Sequence, residues 1–171
     1  TNPANALVSS LLDEFGREVT FVYDASNRLE TARDFTGREV KYTYDARGNL
    51  VAARSPVVTG TPNTNDFPNG RTERYLYETN NADPRLAHNL ASVIGPNEVE
   101  DSNEITRLSM TWGQGGDDYD RVISQRIGGT NSTGVGAGGT LQFLYQIPAA
   151  GPAGTQSKTT VMDRNGNLSD Y

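Results

Sequence analysis

The chain has 171 residues, a formal net charge of −6 and a pI of about 4.7, and this acidity excludes a phosphate-neutralising nucleic-acid binder and electrostatic docking on anionic membranes. It has no cysteine, which excludes a disulfide framework and any cysteine metal site or nucleophile, and no apolar run approaches the roughly 18 residues of a membrane span. Hydrophobic residues make up 35%, low for a deep self-contained core, yet Tyr, Phe, Val and Leu recur too regularly for disorder.

Residues 4–15 (ANALVSSLLDEF) are the one stretch with helical composition. A strand is favoured there, because Leu7 stands before Gly16 much as Leu29 stands before Gly37. Residues 17–24 (REVTFVYD) alternate, with Val19, Phe21 and Tyr23 on one side and Glu18, Thr20 and Val22 on the other. Val40, Tyr42 and Tyr44 repeat the pattern against Glu39, Lys41 and Thr43. Period two with aromatic and β-branched residues predicts strands.

These strands belong to an internal repeat. Gly16, Tyr23, Asp24 and Leu29 map onto Gly37, Tyr44, Asp45 and Leu50, each 21 positions on. Units are read at approximately 13–34, 34–56, 69–96, 105–127 and 139–168. The third contains Tyr75 and Tyr77, and an insertion at 79–88 interrupts it; those between 97 and 157 are degenerate. The last restores Asp163, Gly166, Asn167 and Leu168 at the places of Asp45, Gly48, Asn49 and Leu50.

The turns explain the repeat. Asp24-Ala25-Ser26-Asn27, Asp45-Ala46-Arg47-Gly48 and Asp163-Arg164-Asn165-Gly166 place Asp first and a residue tolerant of the left-handed region fourth. Asp13 to Gly16 and Asp34 to Gly37 do the same at the opposite strand ends. The expectation is an all-β antiparallel meander of tandem β-hairpins, roughly ten strands long. Phe21, Tyr23, Tyr42, Tyr44, Tyr75 and Tyr77 are expected to form a buried ladder of cross-strand neighbours.

The segments GREVTFVYDASNRL (16–29) and GREVKYTYDARGNL (37–50), with MDRNGNL (162–168), resemble the YD-repeat or Rhs family. The resemblance covers most of the chain and is faint between 97 and 157. It implies a sheet that spirals into a hollow shell, as in bacterial Rhs polymorphic toxins, insecticidal toxin-complex subunits and teneurins. It further implies a secreted or cell-surface protein in which the shell is a scaffold or a container for a toxin or adhesion module. The chain then reads as a fragment, partnered by the rest of a parent chain or by copies of itself through sheet edges. Asp83-Pro84 is followed by Arg85-Leu86, where the family's self-cleavage signature has a Gly, so no autoprotease is expected.

No catalytic constellation stands out, and no enzyme activity or cofactor is expected. His88, the single histidine, lies in the insertion without a nucleophile motif. Asp117, Asp118 and Asp120 crowd a glycine-containing loop and are the candidate cation ligands, against a reading as a solvated acidic loop. Trp112 is the candidate for stacking on a sugar ring, against a reading as sheet packing. A carbohydrate- or protein-binding module is therefore the alternative function. The stretch 128–139 lacks the Lys of a phosphate-binding loop and reads as a connector, and Asn131 and Asn167 open formal glycosylation sequons.

Overall fold

The computed structural model describes residues 6–63, 66–79, 81–100, 106–128, 138–148 and 157–171. Asn131 and most of the glycine-rich connector lie outside them. Among the described residues there are twelve strands, β1 Ser10–Leu12, β2 Glu18–Tyr23, β3 Leu29–Arg33, β4 Glu39–Tyr44, β5 Leu50–Arg54, β6 Thr72–Tyr77, β7 Leu90–Ile94, β8 Thr106–Trp112, β9 Val122–Ile127, β10 Gly139–Gln146, β11 Lys158–Met162 and β12 Leu168–Asp170. Their order in the sheet is their order in the chain, an antiparallel meander of hairpins. The expected all-β meander is thus observed, with twelve strands rather than about ten. One short helix was not foreseen, α1 at Pro96–Glu100. Among the described residues no helix is long and apolar enough to cross a membrane.

The chain divides into two compact units, Thr1–Arg74 with Gly95–Asn103, and Tyr75–Ile94 with Glu104–Tyr171. In the first, the register sets Phe21 opposite Ala32 and Tyr23 opposite Leu29, and then Tyr42 opposite Ala53 and Tyr44 opposite Leu50. Ala32 in turn faces Val40. Phe21, Tyr23, Tyr42 and Tyr44 therefore share a face, but as alternate rungs. Each strand that carries aromatics is followed by one that carries Ala and Leu, so the rings recur every second strand, about 10 Å apart. The direct cross-strand ladder expected from sequence is corrected on this point.

The expected burial is corrected too. All six aromatics, Tyr75 and Tyr77 included, are half-buried. The buried apolar side chains among the described residues are Phe67, Leu86, Ala87, Val93 and Ile94. Phe67 comes from the connection between β5 and β6, and Leu86 and Ala87 from the insertion after β6. A single sheet face has nothing of its own to pack against, whereas an insertion folded onto the strand ends can enclose an apolar residue.

Candidate functional site

Five turns share one local device. In each, the Asp amide N–H bonds the carbonyl of the fifth residue, and the fourth residue's N–H bonds the Asp carbonyl. Asp Oδ1 accepts from the backbone N–H groups of the third and fifth residues. Asp Oδ2 accepts from the side chain of the fifth, which is Arg17, Arg28, Arg38, Asn49 or Asn167. The fourth position has positive φ, as at Asn27 (62°), Gly48 (93°) and Gly166 (85°), and likewise at Gly16 and Gly37.

These bonds hold every turn carboxylate below its ordinary pKa. The backbone N–H of the fifth residue is the largest cause at Asp13 and Asp24, the Thr36 hydroxyl at Asp34 and the Asn167 amide at Asp163. At Asp45 desolvation is the largest influence and opposes the shift, but bonds from Asn49, Arg47 and Gly48 together outweigh it. The fifth-position partner was missed at the sequence level, although Arg or Asn at that place in all five turns was a readable signal.

The aromatic that closes alternate strands has its own device. The Tyr23 hydroxyl donates to the Val8 carbonyl at 2.9 Å, and the Tyr44 hydroxyl to the Leu29 carbonyl at 2.9 Å, one repeat of 21 residues later. In the second unit the Tyr145 hydroxyl donates to the Val122 carbonyl at 2.8 Å, and Trp112 Nε1–H to the Leu90 carbonyl at 2.8 Å. The paired rungs explain the need. β3 pairs with β4 only from Thr31 onward, and β9 with β10 only from Ser124 onward. The carbonyls of Leu29 and Val122 fall past the last rung, and the ring donor satisfies them.

Trp112 stands where the repeat has tyrosine. A register shift falls between Thr111 and Trp112, as it does between Val22 and Tyr23 and between Thr43 and Tyr44. The half-buried indole is committed to the sheet through its N–H. That is the sheet-packing role weighed for Trp112 from sequence, at the end of the first strand of the degenerate unit 105–127.

The insertion and the acidic loop meet in the second unit. A 3₁₀ helix, Pro84–His88, is capped by Asp83, which accepts from Arg85 N–H. Asp83 also holds the Arg85 guanidinium and the Tyr119 hydroxyl, at 2.7 and 2.8 Å, and Arg85 lies over the Tyr119 ring, 5.1 Å from its centre. Arg85 first and Tyr119 second depress the Asp83 pKa, and the same bond raises that of Tyr119. Asn81 donates to Gln114, and the buried Asn89 donates to Asp120 Oδ1 at 3.0 Å. His88 is exposed on this helix.

Neither a family model nor a curated protein matches the chain.

The three aspartates proposed for a cation do not converge. Asp117 accepts from Ile147 N–H at 3.0 Å and Asp120 from Asn89, so two of the three are drawn to different partners. Among the described residues no group of three or more His, Cys, Asp or Glu side chains is placed to hold a metal. What the loop cluster does chemically is fasten two excursions of the chain to each other.

Proposed function

We propose that the chain is a wall segment of a β-shell in a large secreted or cell-surface YD/Rhs-type protein, serving as scaffold or container for a toxin or adhesion module. It acts by form rather than by catalysis. The observation that carries this reading is the bond from tyrosine hydroxyl to backbone carbonyl, repeated at 21 residues between Tyr23 and Tyr44 and framed by the same aspartate turn. A hairpin built this way hands its successor the same acceptor it received, so the unit extends by repetition.

The half-buried aromatic faces support a wall that is covered by further parent chain or by copies of itself. The test is solution mass by light scattering from low to high micromolar concentration, together with limited proteolysis. The reading expects association that grows with concentration, with the strands protected as it does. A protease-resistant compact monomer at every concentration would overturn it and favour a free-standing domain.

A further inference from the structure

The last of the five aspartate turns carries a chemistry that the other four lack. Its third residue is Asn165, followed by Gly166, where the others have Phe15, Ser26, Thr36 and Arg47. The sequence holds one more Asn-Gly pair, Asn69-Gly70, in the β5–β6 connection. An Asn-Gly pair can lose its side-chain amide without an enzyme, because glycine has no side chain to keep its amide nitrogen from the asparagine carboxamide.

The two pairs differ in their surroundings. In both the glycine N–H is engaged, Gly166 with the Asp163 carbonyl at 3.0 Å and Gly70 with the Phe67 carbonyl at 2.9 Å, so that bond does not tell them apart. Packing does. Gly70 is buried, and a Cβ there would lie 2.1 Å from the Ser55 carbonyl oxygen. The next residue is clamped to the same place, since Ser55 N–H bonds the Arg71 carbonyl and Arg71 N–H bonds the Ser55 hydroxyl. Turning the Gly70 nitrogen toward the Asn69 carboxamide would break this clamp. Asn165 and Gly166 are both exposed, and a Cβ on Gly166 would meet nothing within 4 Å. Asn165 is tethered through its own N–H to Asp163 Oδ1 at 2.8 Å, a bond within the turn.

We propose that Asn165 is a self-modifying site, which converts the last hairpin turn to isoaspartate and loosens β12. Hydroxide takes the Gly166 N–H proton, the nitrogen attacks Asn165 Cγ, and the side-chain nitrogen leaves as ammonia with a proton from water. Water then opens the cyclic imide at either carbonyl, to aspartate or to isoaspartate. Isoaspartate routes the main chain through the former side chain. That adds a backbone carbon between the N–H groups of residues 165 and 166, both of which bond Asp163 to close the turn. The strand beyond depends on this closure. β12 pairs with β11 from Met162–Leu168 to Thr160–Asp170, and all three of its residues are exposed.

The test incubates the whole folded chain at mildly alkaline pH and follows both Asn-Gly pairs by peptide mass spectrometry, with isoaspartate read by enzymatic methylation of its carboxylate. Asn165 is expected to lose its amide about tenfold faster than Asn69 in the folded chain, and the two rates to converge in urea, where the packing around Gly70 is gone. Asn165→Ser, which installs the residue that the equivalent turn carries as Ser26, should remove the fast acidic product and the methylation signal. Hydrogen exchange of the aged chain should quicken over β12 and stay unchanged over β2 to β5. Asn69 reacting as fast as Asn165 in the folded chain, a ratio untouched by urea, an Asn165 that keeps its amide, aspartate without isoaspartate, or undiminished protection of β12 would each overturn the proposal. None of these outcomes bears on whether the chain is a shell wall, which is read from solution mass.

Discussion

The Tyr44 hydroxyl donates to the carbonyl of Leu29, and Leu29 is also the residue that the register sets opposite Tyr23. Val122 has the same two roles, lying opposite Trp112 and accepting from Tyr145. One aliphatic residue thus packs beside the preceding aromatic and passes its carbonyl to the next. Tyr recurs with the period because it alone among the common aliphatic and aromatic packing residues ends in a donor at that reach, and Trp is the one replacement that keeps a donor.

Tyr44→Phe should therefore cost about 1 kcal/mol, the net value of a hydrogen bond whose loss orphans a half-buried carbonyl. At position 112 the order matters more than the size. Trp112→Tyr should melt closer to the parent than Trp112→Phe, because the first keeps a donor for Leu90 and the second removes it. Thermal denaturation of the three variants checks this, and equal stability of Trp112→Phe and Trp112→Tyr would contradict it.

Gly48 sits at φ 93° with open space around most of a would-be side chain. Strain there is backbone strain, so Gly48→Val should destabilise by about 1–2 kcal/mol. Gly48→Asn should cost less, because Asn27 already occupies the same turn position at φ 62°. Denaturant midpoints of the two variants separate the effects.

Much of this was legible. Alternation in 17–24 and 38–45, with Asp and Gly three apart, placed β2, β4 and their turns. The register could not be read, because period two fixes which residues share a face but not that Ala32 and Leu29 stand between one aromatic rung and the next. The helix at Pro84–His88 was hidden by a polar insertion in which Leu86 is the one large aliphatic residue, yet Leu86 and Ala87 are among the most buried side chains described. Sheet packing was a legible reading of Trp112, but its equivalence to the repeat tyrosine was not, because Trp-Gly stands there in place of Tyr-Asp. The pairing of Lys41 with Arg54 needed the fold, since the two are neighbours only across the ladder.

The aspartate turns predict a pH dependence with a definite sign. Their folded pKa values are depressed, so the stability they confer is present above the unfolded carboxylate value near 3.8 and is lost as pH falls through the lower folded values. The melting temperature should hold from neutrality to about pH 5 and then fall. Asp34→Asn should lower it at neutral pH and flatten its decline in acid. A decline as steep in that variant as in the parent would show that Asp34 is not among the groups responsible.

Arg28 ties two repeats together. Its Nε bonds Asp24 Oδ2 at 2.7 Å in its own turn, while its guanidinium lies 4.6 Å from the centre of the Tyr44 ring and reaches the Asp45 carbonyl at 3.3 Å. Arg121 occupies the same place in the second unit, directly before Val122 and 5.0 Å from the ring of Tyr145. Arg17, in an equivalent turn, faces the exposed rings of Phe15 and Phe35 instead, and its side chain is 53% exposed against 31% for Arg28. Arg28→Ala should therefore destabilise more than Arg17→Ala, although both remove an aspartate partner. A double-mutant cycle of Arg28→Ala with Tyr44→Leu should give a coupling of about 0.5–1 kcal/mol, and the cycle of Arg121→Ala with Tyr145→Leu a similar one. Additive losses in the first cycle would mean that the stacking seen over Tyr44 contributes nothing, and that the turns alone carry one repeat to the next.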